Sequence, residues 1–379
     1  MNRMKFLHIS DLHLGKRLNE YSLIEDQQYI LDRILEISDS EKPDGILIAG
    51  DVYDKSIPTA EAVRLFDGFL SAVAARGVAA FIISGNHDSS DRLAFGGALM
   101  NKSGVYISPV YDGKIEPVTL LDGYGRLNVY LMPFLKPIHV HRYFEDCGEG
   151  YTDALRTVVQ NMNINRDERN ILVAHQFVTG AARTESEEIT VGDVDNVDAS
   201  IFFDFDYTAL GHIHSAQKCE RESVRYCGTP LKYSFSEAGD EKSVTVIELF
   251  EKGRVQIKAI PLKPLRDMKI IRGSYNELMN KDFYEGTSYR EDYMQVILTD
   301  EEDVVDAIGR LRSVYRNIMK LSYDNTRTSS SSVIEDRVDV ENKTPLEIFA
   351  DFYKQQNNQD MSEEQEQFLR GLIEEIWEG

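Results

Sequence analysis

The chain has 379 residues, 42% of them hydrophobic, which is enough for a sizeable core and predicts one large domain with one or two appendages. The 42 Lys and Arg stand against 64 Asp and Glu, a formal charge of −22, which excludes a protein that coats nucleic acid through a broad basic face of its own. A local basic groove or a basic partner subunit stays open, and the final 55 positions, 325–379, are the most acidic, with 5 basic and 13 acidic residues. Cys147, Cys219 and Cys227 form no Cys-x-x-Cys pair, so neither a disulfide framework nor a thiolate zinc site is indicated and a reducing cytoplasm is expected. The apolar run after Met1 to Lys5 meets charge at Asp11, and no run approaches membrane-spanning length, so a soluble intracellular protein with no membrane partner is expected.

Lys5 to Ser10 reads as a short strand, followed by Asp11-Leu12-His13, two potential ligands two residues apart at its end. Ile24, Ile30, Leu31, Ile34 and Ile37 recur at helical spacing until Pro43, and Gly45 to Ala49 forms a second buried strand ending in Gly50-Asp51-Val52-Tyr53-Asp54. A helix from Thr59 to Arg76 presents Val63, Phe66, Leu70 and Val73 on one face and stops at Gly77. The strand Ala79 to Ile83 then runs into Ser84-Gly85-Asn86-His87-Asp88, where a neutral amide, an imidazole and a carboxylate meet solvent together. Three strands ending in acidic or histidine clusters point to one edge of a sheet, where α/β proteins build their sites.

The middle section carries hairpin-like punctuation at Asp112-Gly113 and Asp122-Gly123, a strand from Val129 to Met132 and a helix around Tyr151 to Met162. Asn170 to Ala174 leads to His175, and Tyr207 to Leu210 leads to Gly211-His212-Ile213-His214, so five strand ends carry polar clusters. Ser243 to Leu249 and Arg254 to Ile260 read as a hairpin closing a domain over residues 1–265, with Pro261 and Pro264 marking the boundary. Residues 266–325 form a small α+β domain of strand, helix, strand, helix, strand: Met268 to Arg272, Tyr275 to Asn280, Tyr293 to Leu298, Val304 to Val314 and Ile318 to Tyr323. Residues 326–379 comprise a serine-rich linker from Thr326 to Ser332 and two short helices. Their starts are Thr344-Pro345-Leu346-Glu347 and Ser362-Glu363-Glu364-Gln365, each a helix-capping device. Two short amphipathic helices after a linker have little core of their own, so they dock on a partner or fold back on their own chain.

The strand ends supply Asp11, His13, Asp51, Asn86, His175, His212 and His214, an oxygen and imidazole set that suits manganese, iron or zinc. Seven ligands are too many for one ion. With one carboxylate shared they divide between two ions roughly 3.5–4 Å apart, an arrangement used to hydrolyse phosphate esters.

In this order, Asp11-x-His13, Gly50-Asp51-x-x-Asp54, Gly85-Asn86-His87-Asp88, His175 and Gly211-His212-x-His214 resemble the calcineurin-like metallophosphoesterases. The resemblance implies a four-layer α/β/β/α sandwich in which Asp11, His13, Asp51 and His214 hold one ion and Asp51, Asn86, His175 and His212 the other. It also implies that His87 protonates the leaving oxygen or stabilises the transition state, with Asp54 and Asp88 orienting His87 and nearby groups. Gly50 to Ala62, Asn86 to Leu93 and Gly228 to Glu237 look like the SbcD-type nuclease family, whose members are subunits of bacterial DNA end-processing complexes. That likeness implies a DNA exonuclease and single-strand or hairpin endonuclease using two Mn2+, or other divalent ions such as Mg2+, Fe2+ or Zn2+. It further implies that residues 266–325 cap the site and select DNA, that the tail docks on an SbcC-type coiled-coil ATPase, and that a homodimer forms through the helices at 59–76 and 91–101. Asp88, where many phosphatases of the superfamily have glutamate, favours the nuclease branch.

The alternative is a free-standing phosphatase or cyclic-nucleotide phosphodiesterase, which has no need of the appended domain and tail. Arg92 is either a helix-start surface charge or a phosphate contact. His8 is expected as a packed core residue, His139 and His141 as surface histidines and Cys227 as a small buried residue. Arg310, Arg312, Arg316 and Lys320 read as a solvated face before they read as a guide for DNA.

Overall fold

The computed structural model describes residues 3–182 and 196–326, together with scattered positions of the last segment: Leu346, Phe349, Ala350, Tyr353, Met361, Ser362, Gln365, Glu366, 368–370 and Ile373. The chain divides at Met268/Lys269 into two compact units.

The first unit opens with β1 (Met4–Ile9), a two-residue ladder of β2 (Arg17–Leu18) and β3 (Tyr21–Ser22), and α1 (Ile24–Glu41). It continues through β4 (Gly45–Ala49), α2 (Ala60–Ala75), β5 (Ala79–Ile83), α3 (Ser90–Leu93), α4 (Gly97–Met100) and β6 (Val105–Ile107). Next come β7 (Val118–Asp122), β8 (Gly125–Met132), α5 (Pro137–His141), α6 (Tyr151–Gln160), β9 (Arg169–His175) and β10 (Tyr207–Gly211). The unit closes with β11 (Gln217–Cys219), β12 (Arg221–Tyr226), β13 (Ser243–Leu249) and β14 (Val255–Pro261).

These strands form two six-stranded sheets, ordered β14-β13-β1-β4-β5-β6 and β11-β12-β10-β9-β8-β7. The central strands of each are parallel, while the β13–β14 hairpin joins the first sheet antiparallel to β1. Strands buried on both faces need apolar side chains on both, which is why β4 and β5 read as unbroken apolar runs in the sequence. Alternate residues go to opposite sides. Phe6, Leu47, Phe81 and Ile83 of one sheet meet Val129, Ile171, Val173 and Tyr207 of the other in a single core between the sheets. On the far face of the second sheet, Leu155 and Val158 of α6 pack with Leu172 and Tyr226. Helices α1 and α2 pack on each other, and α2 packs on β5. The result is the α/β/β/α layering expected from the sequence. Thr59 caps α2 through Ala62 N at 3.2 Å, and α1 ends at Lys42, whose left-handed backbone returns its N–H to Ser38 O.

The turn at Asp122-Gly123 does join a hairpin, β7–β8. Asp112-Gly113 instead lies in a bend that pairs no strands among the described residues; β6, on its amino side, pairs with β5. Strand β6 is too short, and the pair β11–β12 too polar, to stand out in the sequence.

The second unit holds β15 (Met268–Gly273), α7 (Tyr275–Leu278), α8 (Lys281–Tyr284), β16 (Tyr293–Leu298), α9 (Ala307–Leu311) and β17 (Asn317–Tyr323). The three strands form one sheet in that order, with β16 and β17 parallel. Ile271, Leu278, Met294, Val296, Leu311, Tyr315 and Ile318 make its core. Helix α9 is shorter than the expected Val304 to Val314 because Asp306 adopts a left-handed backbone, φ 52°, and delays its start. In the tail, Ser362 and Gln365 form the expected reciprocal cap, with Ser362 N donating to Gln365 Oε1 at 2.9 Å and Gln365 N to Ser362 Oγ at 3.3 Å. The linker after Thr326 and the Thr344-Pro345 helix start lie outside the described residues. Among the described residues no helix is long and apolar enough to cross a membrane.

Candidate metal centre

Strands β1, β4 and β5 of the first sheet and β9 and β10 of the second end side by side, so the polar clusters converge where the carboxyl edges of two stacked sheets meet, not along one sheet. Turning the chain abruptly at these ends requires unusual backbone. Asp11, His13, Asp51 and His212 all have positive φ, between 43° and 103°, a conformation that costs about 1–3 kcal/mol per residue and persists only where surroundings enforce it. Here hydrogen bonds enforce it: Asp11 N donates to Gly50 O at 3.0 Å, His13 N to Asp51 O at 2.9 Å and His212 N to the Asp11 carboxylate at 3.1 Å. Gly50, itself at φ 88°, passes so close to the site that a Cβ there would sit 2.4 Å from His175 Nδ1.

The donor atoms face one another. His13 Nε2 lies 3.3 Å from His214 Nε2 and 3.8 Å from Asp51 Oδ2. On the other side, His175 Nε2 lies 3.4 Å from Asp51 Oδ2, 3.0 Å from Asn86 Oδ1 and 4.0 Å from Asp11 Oδ1, and His212 Nδ1 is 3.1 Å from Asn86 Oδ1. Three groups of donors therefore form, each within 4.8 Å: Asp11 with His13 and His214, and Asp11 with Asp51 and His175, both buried, and His13 with Asp54 and His87, which is only partly so. The Asp51 carboxylate reaches both imidazole groups.

Burial sets the electrostatics. It pushes the Asp11 carboxyl up and holds the His13 imidazole well below its ordinary value. Burial would raise Asp51 as well, yet the imidazoles of His175, His13 and His87 around it hold it below the usual carboxylate range. Two imidazole nitrogens 3.3 Å apart beside two buried carboxylates, and a buried His13 Nδ1 with no hydrogen-bond partner, describe a pocket dense in electron-pair donors. Such a set of imidazole, carboxylate and amide donors fits divalent ions of intermediate hardness. His175 is oriented for this by its Nδ1, which lies 2.8 Å from Ala49 O and leaves Nε2 turned to the site.

The remaining residues singled out from the sequence surround this set. His87 N donates to Asp51 Oδ1 at 2.9 Å, its Nδ1 lies 3.0 Å from Asp54 O and its Nε2 4.0 Å from Asp51 Oδ2. The Asp54 carboxylate takes Lys16 Nζ at 2.8 Å and faces His13 Nδ1 at 3.8 Å. Asp88 accepts the backbone N–H groups of Val52, Tyr53 and Gly85 at 3.0, 2.9 and 2.9 Å, so its carboxylate fastens the loop carrying Asp51 to the loop carrying His87. Arg92, exposed on α3, donates to Ser56 O at 2.7 Å.

His8 is fully buried between Tyr207 OH and Leu210 O, at 2.9 and 3.2 Å, and Cys227 is buried beside Ser10, as expected. His139 is half-buried and His141 exposed on α5. Arg316 pairs with Glu291, and Arg310 lies over the Tyr275 ring. The sequence alone attaches no role to Lys16, Tyr233, Glu237 or Lys242, which line the back of the imidazoles. Their only signal is position: Lys16 follows the first ligand pair by three residues, and Tyr233 and Glu237 lie in the nuclease-like stretch from Gly228 to Glu237.

Comparison with known proteins decides the family. The model described as calcineurin-like phosphoesterase matches residues 4–216, and the model described as type 5 capsule protein repressor C-terminal domain matches residues 264–357. A protein of Staphylococcus saprophyticus, named as the SbcD component of the SbcCD nuclease, is 33% identical over 381 residues, covering 98% of this chain and 99% of that protein. The chain belongs to the SbcD-type nucleases of the calcineurin-like phosphoesterase family. As a member of the calcineurin-like phosphoesterases it is a metal-dependent phosphodiester hydrolase, and this fold is one built around a divalent dinuclear site. Among solved structures, a dimetal phosphatase from Danio rerio aligns at 13% identity over 69% of this chain and 98% of its own, TM-score 0.40. The protein TT1561 of Thermus thermophilus aligns at 11% identity over 68% and 99%, TM-score 0.38.

Proposed function

We propose that this chain is the nuclease subunit of an ATP-regulated DNA end-processing and repair complex, acting as a DNA exonuclease and as an endonuclease on single strands and hairpins. The observation that carries the reading is the Asp51 carboxylate, within 3.8 Å of His13 and 3.4 Å of His175, set in a chain that resembles a named nuclease component along its whole length. Asp11, His13, Asp51 and His214 would hold one Mn2+, and Asp51, Asn86, His175 and His212 the other, with Mg2+, Fe2+ or Zn2+ as substitutes. Bound there, such a pair supplies Lewis acidity toward the phosphate and an activated nucleophile.

The chain's own residues supply the rest. His87 is part-exposed, and its Nε2 faces the site while Nδ1 points to Asp54 O. It can hold a proton at Nε2 and release it to the departing oxygen. Asp88 and Asp54 keep the two loops at a fixed separation, and the exposed Arg92 would meet a neighbouring phosphate.

In this reading residues 1–265 are the nuclease domain, 266–325 a capping domain that selects DNA, and 326–379 a linker and helices that dock on an SbcC-type coiled-coil ATPase. The exposed Phe95 and Leu99, 85% and 78% accessible on the segment containing α3 and α4, support a homodimer interface that includes α2. The location is the cytoplasm, at the nucleoid. With a net charge of −22 this chain alone binds DNA weakly and with strong salt dependence, the partner supplying most phosphate contacts. The test is Mn2+-dependent cleavage of a DNA hairpin against a generic chromogenic phosphodiester, with and without the ATPase. Hairpin cleavage enhanced by the ATPase is expected; activity confined to the small ester would instead mark a free-standing phosphodiesterase.

A further inference from the structure

Two histidines of the cluster are backed in the same manner. Behind His13, the Asp54 carboxylate faces Nδ1 at 3.8 Å and is itself held by Lys16 Nζ at 2.8 Å. Behind His214, the Glu237 carboxylate faces Nδ1 at 3.7 Å and is held by Lys242 Nζ at 2.6 Å. The two rings then present Nε2 to one another at 3.3 Å. Tyr233 stands between the two arrangements: its ring meets His13 and His214 edge-on at 5.5 and 6.1 Å, and Lys16 lies over it at 5.5 Å.

The pair behind His214 is the more enclosed. Glu237 is fully buried and Lys242 is 7% exposed. Such a pair is costly to desolvate and gives little stability that apolar side chains of the same volume would not. Besides longer contacts to Thr229 and Asp240, both at 3.4 Å, the pair reaches His214 and its neighbour. Lys242 Nζ also donates to His214 O at 3.0 Å, and Glu237 Oε1 takes Tyr233 N at 3.3 Å, so the charges grip both the backbone of His214 and the tyrosine packed on its ring.

We propose that Glu237 and Lys242 are positioning residues for His214: the carboxylate keeps the proton on Nδ1, so that Nε2 presents its lone pair to a divalent ion, and the lysine fixes the carboxylate. A neutral imidazole can carry its proton on either nitrogen, and an acceptor at one nitrogen decides which is left to bind metal. The inference rests on the assignment of His214 as a ligand.

The test uses the full chain stripped with chelator, in three forms: wild type, His214→Ala, and the double variant Glu237→Gln/Lys242→Met, which removes both charges at nearly constant volume. Mn2+ binding is followed by calorimetry, and folding of the metal-free protein by thermal denaturation. The expected result is a double variant that melts near the wild-type temperature without metal yet binds one Mn2+ about 10–100-fold more weakly. Wild-type affinity in the double variant, alongside weakened binding in His214→Ala, would overturn the positioning role alone. Wild-type affinity in His214→Ala would overturn the ligand assignment beneath it. The tautomer is read independently in metal-free wild type from the ring nitrogen shifts of 15N-histidine: protonation of His214 at Nδ1 is expected, and protonation at Nε2 would overturn the proposal even if the double variant fails to fold.

Discussion

His87 holds its Nδ1 3.0 Å from the backbone carbonyl oxygen of Asp54, a bond between two loops that leave different strands, β5 and β4. A carbonyl only accepts, so Nδ1 is the donor in this contact, and Nε2 is left on the side of Asp51. That is the arrangement a proton donor to a leaving oxygen needs, and the role proposed for His87 requires that it can be removed without loss of bound metal.

Replacing His87 with Ala should lower Mn2+-dependent phosphodiester cleavage about 10²–10⁴-fold, the usual contribution of a positioned acid. Mn2+ affinity measured by calorimetry should stay within a few-fold of wild type. Loss of one bound ion in that variant would reassign His87 as a ligand.

Gly85 tests how tightly the loops are joined. A Cβ at this position would lie 2.1 Å from Asp51 Oδ1 and 2.5 Å from Asp51 N. Gly85→Ala must therefore displace the Asp51 carboxylate that lies between His13 and His175, lowering Mn2+ affinity and destabilising the metal-free protein by about 1–3 kcal/mol or more. Gly68, inside α2, has nothing within 4 Å of the same added atom, and Gly68→Ala should stabilise by up to about 1 kcal/mol through helix propensity. Paired thermal melts of the two variants give opposite signs if the site is packed as described.

The acid limit of stability should be visible at Glu248, far from the metal centre. Its carboxylate is gripped by Arg3, with Nε at 2.7 Å and Nη2 at 2.8 Å, and by Lys5 at 3.1 Å. The Arg3 bond, with Lys5 added and partial burial opposing, holds it at about 2, against 4.5 when free. A depressed folded-state value means the contribution is fully present above pH 4.5 and is lost as pH falls toward 2. The difference in melting temperature between wild type and Glu248→Gln should be constant near neutrality and close across that interval. A difference that grows on acidification would contradict the assignment.

The sequence carried much of this architecture because its central strands are short, parallel and buried on both faces, so each reads as an apolar run with a polar end. Gly45 to Ala49 and Ala79 to Ile83 begin and end where the runs do. What it could not carry was the second sheet edge. Nothing in the spacing of Asp11, Asp51 and Asn86 says that His175 and His212 arrive from another sheet, since face-to-face packing leaves no local mark. The same holds for Glu237 and Lys242: a Glu and a Lys five residues apart look like ordinary surface charges until the fold buries them behind His214. Asp88 was legible as a neighbour of His87, but its bonds to the backbone of Val52 and Tyr53 join positions 35 and 36 residues apart. At α9 a helical pattern was longer than the helix, because the backbone of Asp306 overrode the apolar spacing.

The central claim is that Asp51 joins two ion sites. Calorimetric titration of the metal-free full chain with Mn2+, wild type against Asp51→Asn, tests it most directly. Two ions per wild-type chain are predicted, with Asp51→Asn weakening both together because the shared carboxylate belongs to each. A single ion per wild-type chain, or two ions retained at wild-type affinity in Asp51→Asn, would contradict the account.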